Sequence, residues 1–174
     1  MKKLLLAAAA VVALAPLSAL AADGTITING QVNANTCRIN ATGSPNVTVT
    51  LPTVSTVALP AANATAGNQA FSLALTLCSP GTQATTYFEP GANVDFANGN
   101  LKNTGAATNV QVRLLNSDLS VINLANGVGA QGSQQFTTDT NGAATLSYYA
   151  QYFATGAAGA GSVSTSVQYT MIYQ

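Results

Sequence analysis

The chain has 174 residues, of which five are basic and five acidic, and it contains neither histidine nor tryptophan. This length fits one domain of the usual size, about 100 to 200 residues. Without clustered lysine and arginine there is no nucleic-acid-binding footprint. Without histidine no Ser-His-Asp or Cys-His catalytic arrangement can be built.

The first 21 residues have the pattern of a secretory signal peptide. Met1-Lys2-Lys3 is a short basic start, residues 4–20 are almost entirely apolar, and Ala19-Leu20-Ala21 supplies an A-x-A cleavage site. The alternative is a membrane anchor, but the apolar run is marginal against the about 20 residues that a span needs. We therefore expect cleavage after residue 21, which removes two lysines and leaves three basic and five acidic residues.

The segment at residues 22–32 alternates with the period of a β-strand. Its outward positions are threonine, asparagine and glutamine, and the other face carries Gly24, Ile26, Ile28, Gly30 and Val32. No hairpin turn lies nearby. An isolated strand with one apolar face needs a partner to bury that face.

Cys37 and Cys78 are the two cysteines. In an exported chain, two cysteines favour one disulfide. It would close a loop of about 42 residues, worth about 4 kcal/mol on the chain-entropy estimate. A redox pair fits poorly, because C-x-x-C spacing is absent and Arg38 is the one basic neighbour in sequence.

The remaining sequence predicts strands separated by turns. Alternating apolar positions occur in residues 47–51 and in three longer runs: Phe71, Leu73, Leu75 and Leu77; Val110, Val112 and Leu114; Leu146, Tyr148, Ala150 and Tyr152. Shorter strands are expected at residues 85–88, before the Pro90-Gly91 turn, and around Phe136. Asn-Gly turns at residues 98–100, 126–127 and 141–142 separate them. We expect a loop at residues 61–67, with at most one turn of helix, and a β-sandwich overall.

The C-terminal sequence GSVSTSVQYTMIYQ predicts a final strand with one apolar face. That face carries Val163, Val167, Tyr169, Met171 and Tyr173, and Thr165 interrupts it. An ordinary core strand would show the same pattern. Both ends of the mature chain are therefore alternating strands.

These features resemble the subunits of chaperone–usher fimbriae. The alternating segment ahead of Cys37, the placement of the two cysteines, and YFATGAAGAG at residues 152–161 all match that family. Tyr173 is the penultimate residue and Gly161 the fourteenth from the end, as in pilins. YFEPG at residues 87–91 is similar to the fimbrial subunits of Bordetella.

The resemblance implies an all-β fold, an incomplete immunoglobulin-like β-sandwich of six own strands plus a donated strand. Residues 1–21 would be the signal peptide, 22–32 the N-terminal donor-strand extension and 33–174 the pilin domain. The missing strand leaves an open hydrophobic groove, which a periplasmic chaperone covers first. At the outer-membrane usher, the extension of the next subunit replaces the chaperone strand, a β-augmentation reaction.

The resemblance also assigns roles to residues. Gly24, Ile26, Ile28, Gly30 and Val32 would fill the groove of a neighbouring pilin. The C-terminal strand would line the groove and face the chaperone through Gly161, Val163, Val167, Tyr169, Met171 and Tyr173, while basic chaperone residues hold the carboxylate of Gln174. The product would be a cell-surface fimbrium used for adhesion.

Other function classes find little support in the sequence. The carboxylates are scattered, the two thiols are too few for a zinc site without histidine, and no phosphate-binding loop is evident. We therefore expect no enzyme activity, cofactor, metal or nucleic acid. A stand-alone secreted carbohydrate-binding or adhesive β-sandwich is the alternative, although it gives no reason for an alternating strand ahead of the first cysteine. The sequence does not decide between a major and a minor subunit, although the resemblance of YFATGAA at residues 152–158 to major pilins favours a major one.

Overall fold

The structure is a computed structural model that describes residues 27, 28, 30, 37–40 and 44–174. The chain divides into two compact units, Met1–Asn33 and Ala34–Gln174, and the β structure lies in the second. The predicted signal peptide and most of the predicted donor strand lie outside the described residues. Among the described residues, no helix has the length and hydropathy of a membrane span.

The described chain is all-β, as predicted. Its helical structure is one 3₁₀ turn, Thr56–Ala58, which Ser55 caps by accepting the Val57 N–H with its hydroxyl. The strands are β1 (Arg38–Ile39), β2 (Thr65–Thr76), β3 (Gln83–Phe88), β4 (Leu101–Lys102), β5 (Val110–Asn116), β6 (Val121–Ile122), β7 (Gln135–Thr137), β8 (Ala144–Ala154) and β9 (Tyr169–Tyr173).

The strands form two antiparallel sheets. The larger has the order β1-β2-β8-β5-β4, with β6 also pairing with β5, and the smaller has the order β7-β3-β9. In the larger sheet Leu73 lies opposite Leu146, and Leu114 lies opposite Ala150. These pairs put the apolar positions of three long strands on one face, so the sheet buries that face as a unit.

Tyr148 is the central aromatic of the core between the sheets. It is fully buried, and its hydroxyl donates to Thr86 Oγ1 of the smaller sheet over 2.9 Å. The rings of Phe71, Phe88 and Phe136 surround it at centroid distances of 5.6, 5.6 and 6.1 Å. A buried phenol needs such a polar partner. Because Tyr148 lies on β8 and Thr86 on β3, this hydrogen bond also links the two sheets.

The predicted inward face of β2 is correct for Phe71, Leu73 and Leu75 but wrong for Leu77. The side chain of Leu77 is 56% exposed, and its backbone has φ +57°. The chain leaves the strand here because Cys78 turns to donate its N–H to the Gly142 carbonyl over 3.0 Å. Gly142 has φ +69°, and a Cβ there would lie 2.0 Å from the Cys78 carbonyl oxygen, so this contact requires glycine.

Two other local predictions differ from the structure. The helical turn falls at residues 56–58 instead of 61–67, and β2 already begins at Thr65. Residues 47–51 alternate but belong to neither sheet. A strand that lacks a pairing partner in its own chain leaves its backbone groups open, and these residues border the groove described next.

Candidate functional site

An elongated groove of about 870 Å³ opens between the two sheets. We call residues 45–51 its first rim and residues 163–169 its second rim. The floor between them is apolar and is built from β1, β2, β3, β4, β5 and β8: Ile39, Phe71, Leu73, Phe88, Leu101, Val112, Leu114, Ala150 and Tyr152. No strand of the described chain lies over this floor, although Leu73, Phe88 and Leu101 are each only 2% exposed.

The first rim has no backbone hydrogen bond to the rest of the described chain. Val49 and Leu51 are half-buried and pack against the core, whereas Thr48 and Thr50 are exposed. Val49 and Leu51 thus point inward, while the peptide groups of residues 47–51 have no hydrogen-bond partner among the described residues. Unpaired peptide groups beside an apolar floor form an edge that can accept another strand.

The second rim pairs its backbone on one side only. The carbonyl groups of its even-numbered residues, and of Ser162 just before it, accept hydrogen bonds from the loops outside it: Ser162 from Ala107 N, Ser164 from Thr104 N, Ser166 from Asn93 Nδ2 and Gln168 from Glu89 N, over 2.8 to 3.1 Å. Because successive peptide groups of a strand point in opposite directions, the odd-numbered residues direct theirs into the groove. No backbone hydrogen bond within the described chain involves Val163, Thr165 or Val167.

Strand β9 continues this edge. It pairs with β3, and Gln174 exchanges both backbone hydrogen bonds with Gln83. The bonded positions of β9 are therefore the even-numbered ones, by the alternation of an antiparallel ladder. The second rim and β9 together present one long edge with free groups at odd-numbered residues.

The two rims run in opposite directions. At one end the Tyr169 hydroxyl donates to the Pro45 carbonyl across 2.6 Å. At the other end Leu51 and Val163 pack against the same small cluster around Tyr152. The groove therefore has a polar bridge at one end and an apolar closure at the other.

The predicted C-terminal face is present. Val163, Val167, Tyr169 and Tyr173 are half-buried and Met171 is buried, all of them against the main core. Burial raises the pKa of the Tyr169 and Tyr173 phenols above the ordinary value. Val163, Val167 and Tyr169 line the groove, whereas Met171 and Tyr173 pack against the core without lining it; the contacts with a chaperone stay a prediction.

Thr165, Gly161 and Gln174, the other predicted positions of the C-terminal segment, differ in their contacts. Thr165 also points inward, and its buried Oγ1 has no hydrogen-bond partner within the described residues. A Cβ on Gly161 would lie 2.4 Å from Ala107 N, so glycine allows the second rim to approach that loop. The side chain of Gln174 is exposed at the end of β9.

Cys37 and Cys78 form the predicted disulfide, which joins the chain before β1 to the chain after β2. Cys78 is buried and both residues pack with the main core. The bond therefore holds β1, whose Ile39 lines the groove floor, against the larger sheet.

Most of the predicted donor strand cannot be placed. Gly24, Ile26 and Val32 lie outside the described residues. Gly30 is exposed and the side chain of Ile28 is 88% exposed. Their role as donor residues stays a prediction.

Three acidic residues serve turns in the described chain. Hydrogen bonds to the carboxylate lower the pKa in each case: the Ala97 N–H on Asp95, the Ser120 hydroxyl on Asp118 and the Ala143 N–H on Asp139. Each carboxylate thus stabilises a local turn. Among the described residues no group of three histidine, cysteine or acidic side chains is placed to hold a metal ion.

Sequence reasoning missed two parts of the site. The floor residues come from six strands, so only the fold brings them together. The bridge from Tyr169 to Pro45 joins residues 124 positions apart and has no local signal. The first rim did carry a signal, because residues 47–51 alternate between apolar and polar side chains.

Comparisons with known proteins agree with this geometry. The sequence profile of the family described as FimA, type-1 fimbrial protein A, matches residues 51–174. The chain is 50% identical over 167 residues to the major fimbrial subunit SMF-1 of Stenotrophomonas maltophilia, covering 92% of this chain and 98% of that one. It is 33% identical over 184 residues to the serotype 2 fimbrial subunit of Bordetella pertussis, covering 90% and 89%.

A solved structure of a chaperone–usher pilus has the same fold. It superimposes with a TM-score of 0.57 at 16% identity, covering 88% of this chain and 96% of that one.

Proposed function

The chain belongs to the type-1 fimbrial protein family, and we propose that its N-terminal segment, residues 22–32, fills the groove of a neighbouring copy. It is a structural subunit of a fimbria at the bacterial cell surface. Because the relative with 50% identity is a major fimbrial subunit, we infer that this chain forms the body of the fibre.

The observation that carries the proposal is the pairing state of the two rims. Both rims offer unpaired peptide groups, and the floor between them is apolar. A strand inserted there would gain backbone hydrogen bonds on both sides and bury alternate side chains. Residues 22–32 have that alternation, and Ile26, Ile28 and Val32 would each contribute about 1.5 to 3 kcal/mol if fully buried.

The open groove also supports the proposal of a chaperone. An uncovered floor with two free edges would associate with any other exposed strand before assembly. A chaperone strand would cover it by pairing along the second rim and β9, and a basic site would hold the carboxylate of Gln174. An usher would then exchange that strand for the N-terminal segment of the next subunit.

We propose no catalytic role. Asp95, Asp118 and Asp139 act in turns, Glu89 accepts the Thr170 hydroxyl, and the floor of the groove is apolar. A stand-alone carbohydrate-binding module would have no use for two unpaired backbone edges beside an apolar floor.

Deletion of residues 23–32 tests the proposal. The shortened chain should still be captured by its chaperone in the periplasm but should form no fibres, as measured by the yield of sheared surface fibres. Fibres formed by the deletion variant would contradict the donor role.

The alternation within the segment supplies a matched control. Ile26→Asn and Ile28→Asn place polar groups on the inward face and should abolish assembly. Thr25→Asn and Thr27→Asn change the outward face and should leave the fibre yield near that of the wild type. Equal effects of the two pairs would show that the alternation has no role.

A further inference from the structure

Tyr169 reaches across the groove from the second rim to the first. Its backbone belongs to the start of β9, its ring packs against the core, and its hydroxyl is 2.6 Å from the Pro45 carbonyl oxygen. Since one bond links the two rims through this side chain, the phenol ring occupies the space between them at that end.

A strand that lies between the rims must pass over this ring. Any inward side chain at that level would collide with the phenol, and glycine alone has none. The N-terminal segment has glycine at two of its five inward positions, Gly24 and Gly30.

The direction of the strand decides between the two glycines. The second rim and β9 form the longer free edge, and every strand pair of both sheets is antiparallel. Antiparallel pairing is also the slightly more stable arrangement per residue. A donor antiparallel to the second rim has its N-terminal end beside Tyr169, and the glycine nearest that end is Gly24.

We propose that Tyr169 is a specificity residue of the groove, which sets the register of the incoming strand by accepting Gly24 of the neighbouring copy and no larger residue. This inference depends on the proposed donor role. In the resulting register Ile26 lies opposite Val167 and Ile28 opposite Thr165. Both isoleucines then lie over the deep apolar part of the floor, and Gly30 meets Val163 where the rims converge.

Fibre assembly by the full-length chain tests this register, because each copy carries both the donor and the groove. The variants are Gly24→Val, Tyr169→Ala and the double variant, with the yield of sheared fibres measured against the periplasmic level of each chain. Gly24→Val should lower the normalised yield about tenfold or more, since its methyl groups overlap the ring. Tyr169→Ala removes the ring, so the double variant should recover most of that loss relative to Tyr169→Ala alone.

Gly30→Val is the matched control. Whatever its own effect, combination with Tyr169→Ala should not relieve it. A Gly24→Val chain that assembles like the wild type would overturn the proposal. The proposal would also be overturned if Tyr169→Ala left the assembly defect of Gly24→Val unchanged. It would be overturned as well if Tyr169→Ala relieved the defect of Gly30→Val and not that of Gly24→Val.

Two further measurements keep the result interpretable. If Tyr169→Ala does not accumulate in the periplasm, Tyr169→Leu replaces it with the same expectation, because leucine is shorter than tyrosine and cannot bridge the rims. Deletion of residues 23–32 separates the two proposals. If that deletion abolishes fibres and the Gly24 and Tyr169 variants act independently, the donor role stands and the register is wrong.

Discussion

Thr165 is the one polar residue on the inward face of the second rim, between Val163 and Val167. Its buried hydroxyl has no partner within the described chain, and an unsatisfied buried hydroxyl costs about 1 to 3 kcal/mol. Thr165→Val keeps the shape and removes the hydroxyl, so it should raise the free energy of unfolding by about 1 kcal/mol. Guanidinium titration of purified fibres would measure this, with Thr165→Ser as the variant that keeps the hydroxyl. A lower midpoint for Thr165→Val would mean that the hydroxyl has a partner in the fibre.

Tyr148 makes the stability of the core sensitive to alkaline pH. Burial raises its pKa in the folded protein, while the hydrogen bond with Thr86 partly offsets the shift. The neutral phenol is therefore favoured by folding, and its contribution is complete below the unfolded-state pKa of about 10. It is lost as the pH rises through the higher folded-state value.

Tyr148→Phe should behave differently in two ways. At neutral pH it should lower the free energy of unfolding by about 1 kcal/mol, because the Thr86 hydroxyl loses the bond it accepts from Tyr148 and keeps only its donation to Met171 Sδ. Above pH about 10 it should lose less stability than the wild type does. Guanidinium midpoints of fibres across pH 7 to 11 would measure both effects, with the partly exposed Tyr149→Phe as the control. Equal alkaline losses in Tyr148→Phe and the wild type would exclude this phenol as the cause.

At the scale of single elements, the disulfide determines how β1 is held. β1 has two residues and pairs only with the end of β2, so its own backbone contacts are few. Cys37→Ser with Cys78→Ser should lower the free energy of unfolding by about 2 to 5 kcal/mol. Chemical denaturation of the fibres would measure the loss, and the wild type under reducing conditions should match the double variant. An unchanged midpoint would mean that β1 is held by packing alone.

The long strands could be predicted from the sequence because their alternating apolar residues indicate which face of each strand is buried. The inward residues of β8 were predicted because its burial alternates along the strand, and those of β5 were predicted from Val110, Val112 and Leu114 although its other face is buried as well. Leu77 was predicted wrongly because its φ of +57° depends on the Gly142 turn, which comes 65 residues later in the chain. The outcome at residues 47–51 is similar: alternation predicts an extended strand with one apolar face, but not whether a partner is present in the same chain.

The groove itself could be predicted only through the family resemblance. Its two rims come from opposite ends of the domain, and its floor combines six strands. No local sequence pattern indicates that the residues of the two rims and the floor line one groove. The side chains of the second rim were predicted individually, because their inward alternation is local, whereas the bridge from Tyr169 to Pro45 depends on the tertiary fold.

At the scale of the whole molecule, a domain with an open side and a detachable strand is suited to polymerisation. The mature chain carries few charges, so copies repel one another weakly. In the proposed assembly each copy would offer one acceptor groove and one donor segment, which would give a head-to-tail interface that does not close on itself. Such an interface produces a fibre instead of a closed oligomer.

An electron cryomicroscopy structure of sheared fibres would test this account most directly. We predict that residues 24–32 of one copy lie between residues 45–51 and 163–169 of the next, with hydrogen bonds to the odd-numbered residues of the second rim. A groove filled by a segment of its own chain, or left empty along the fibre, would contradict it.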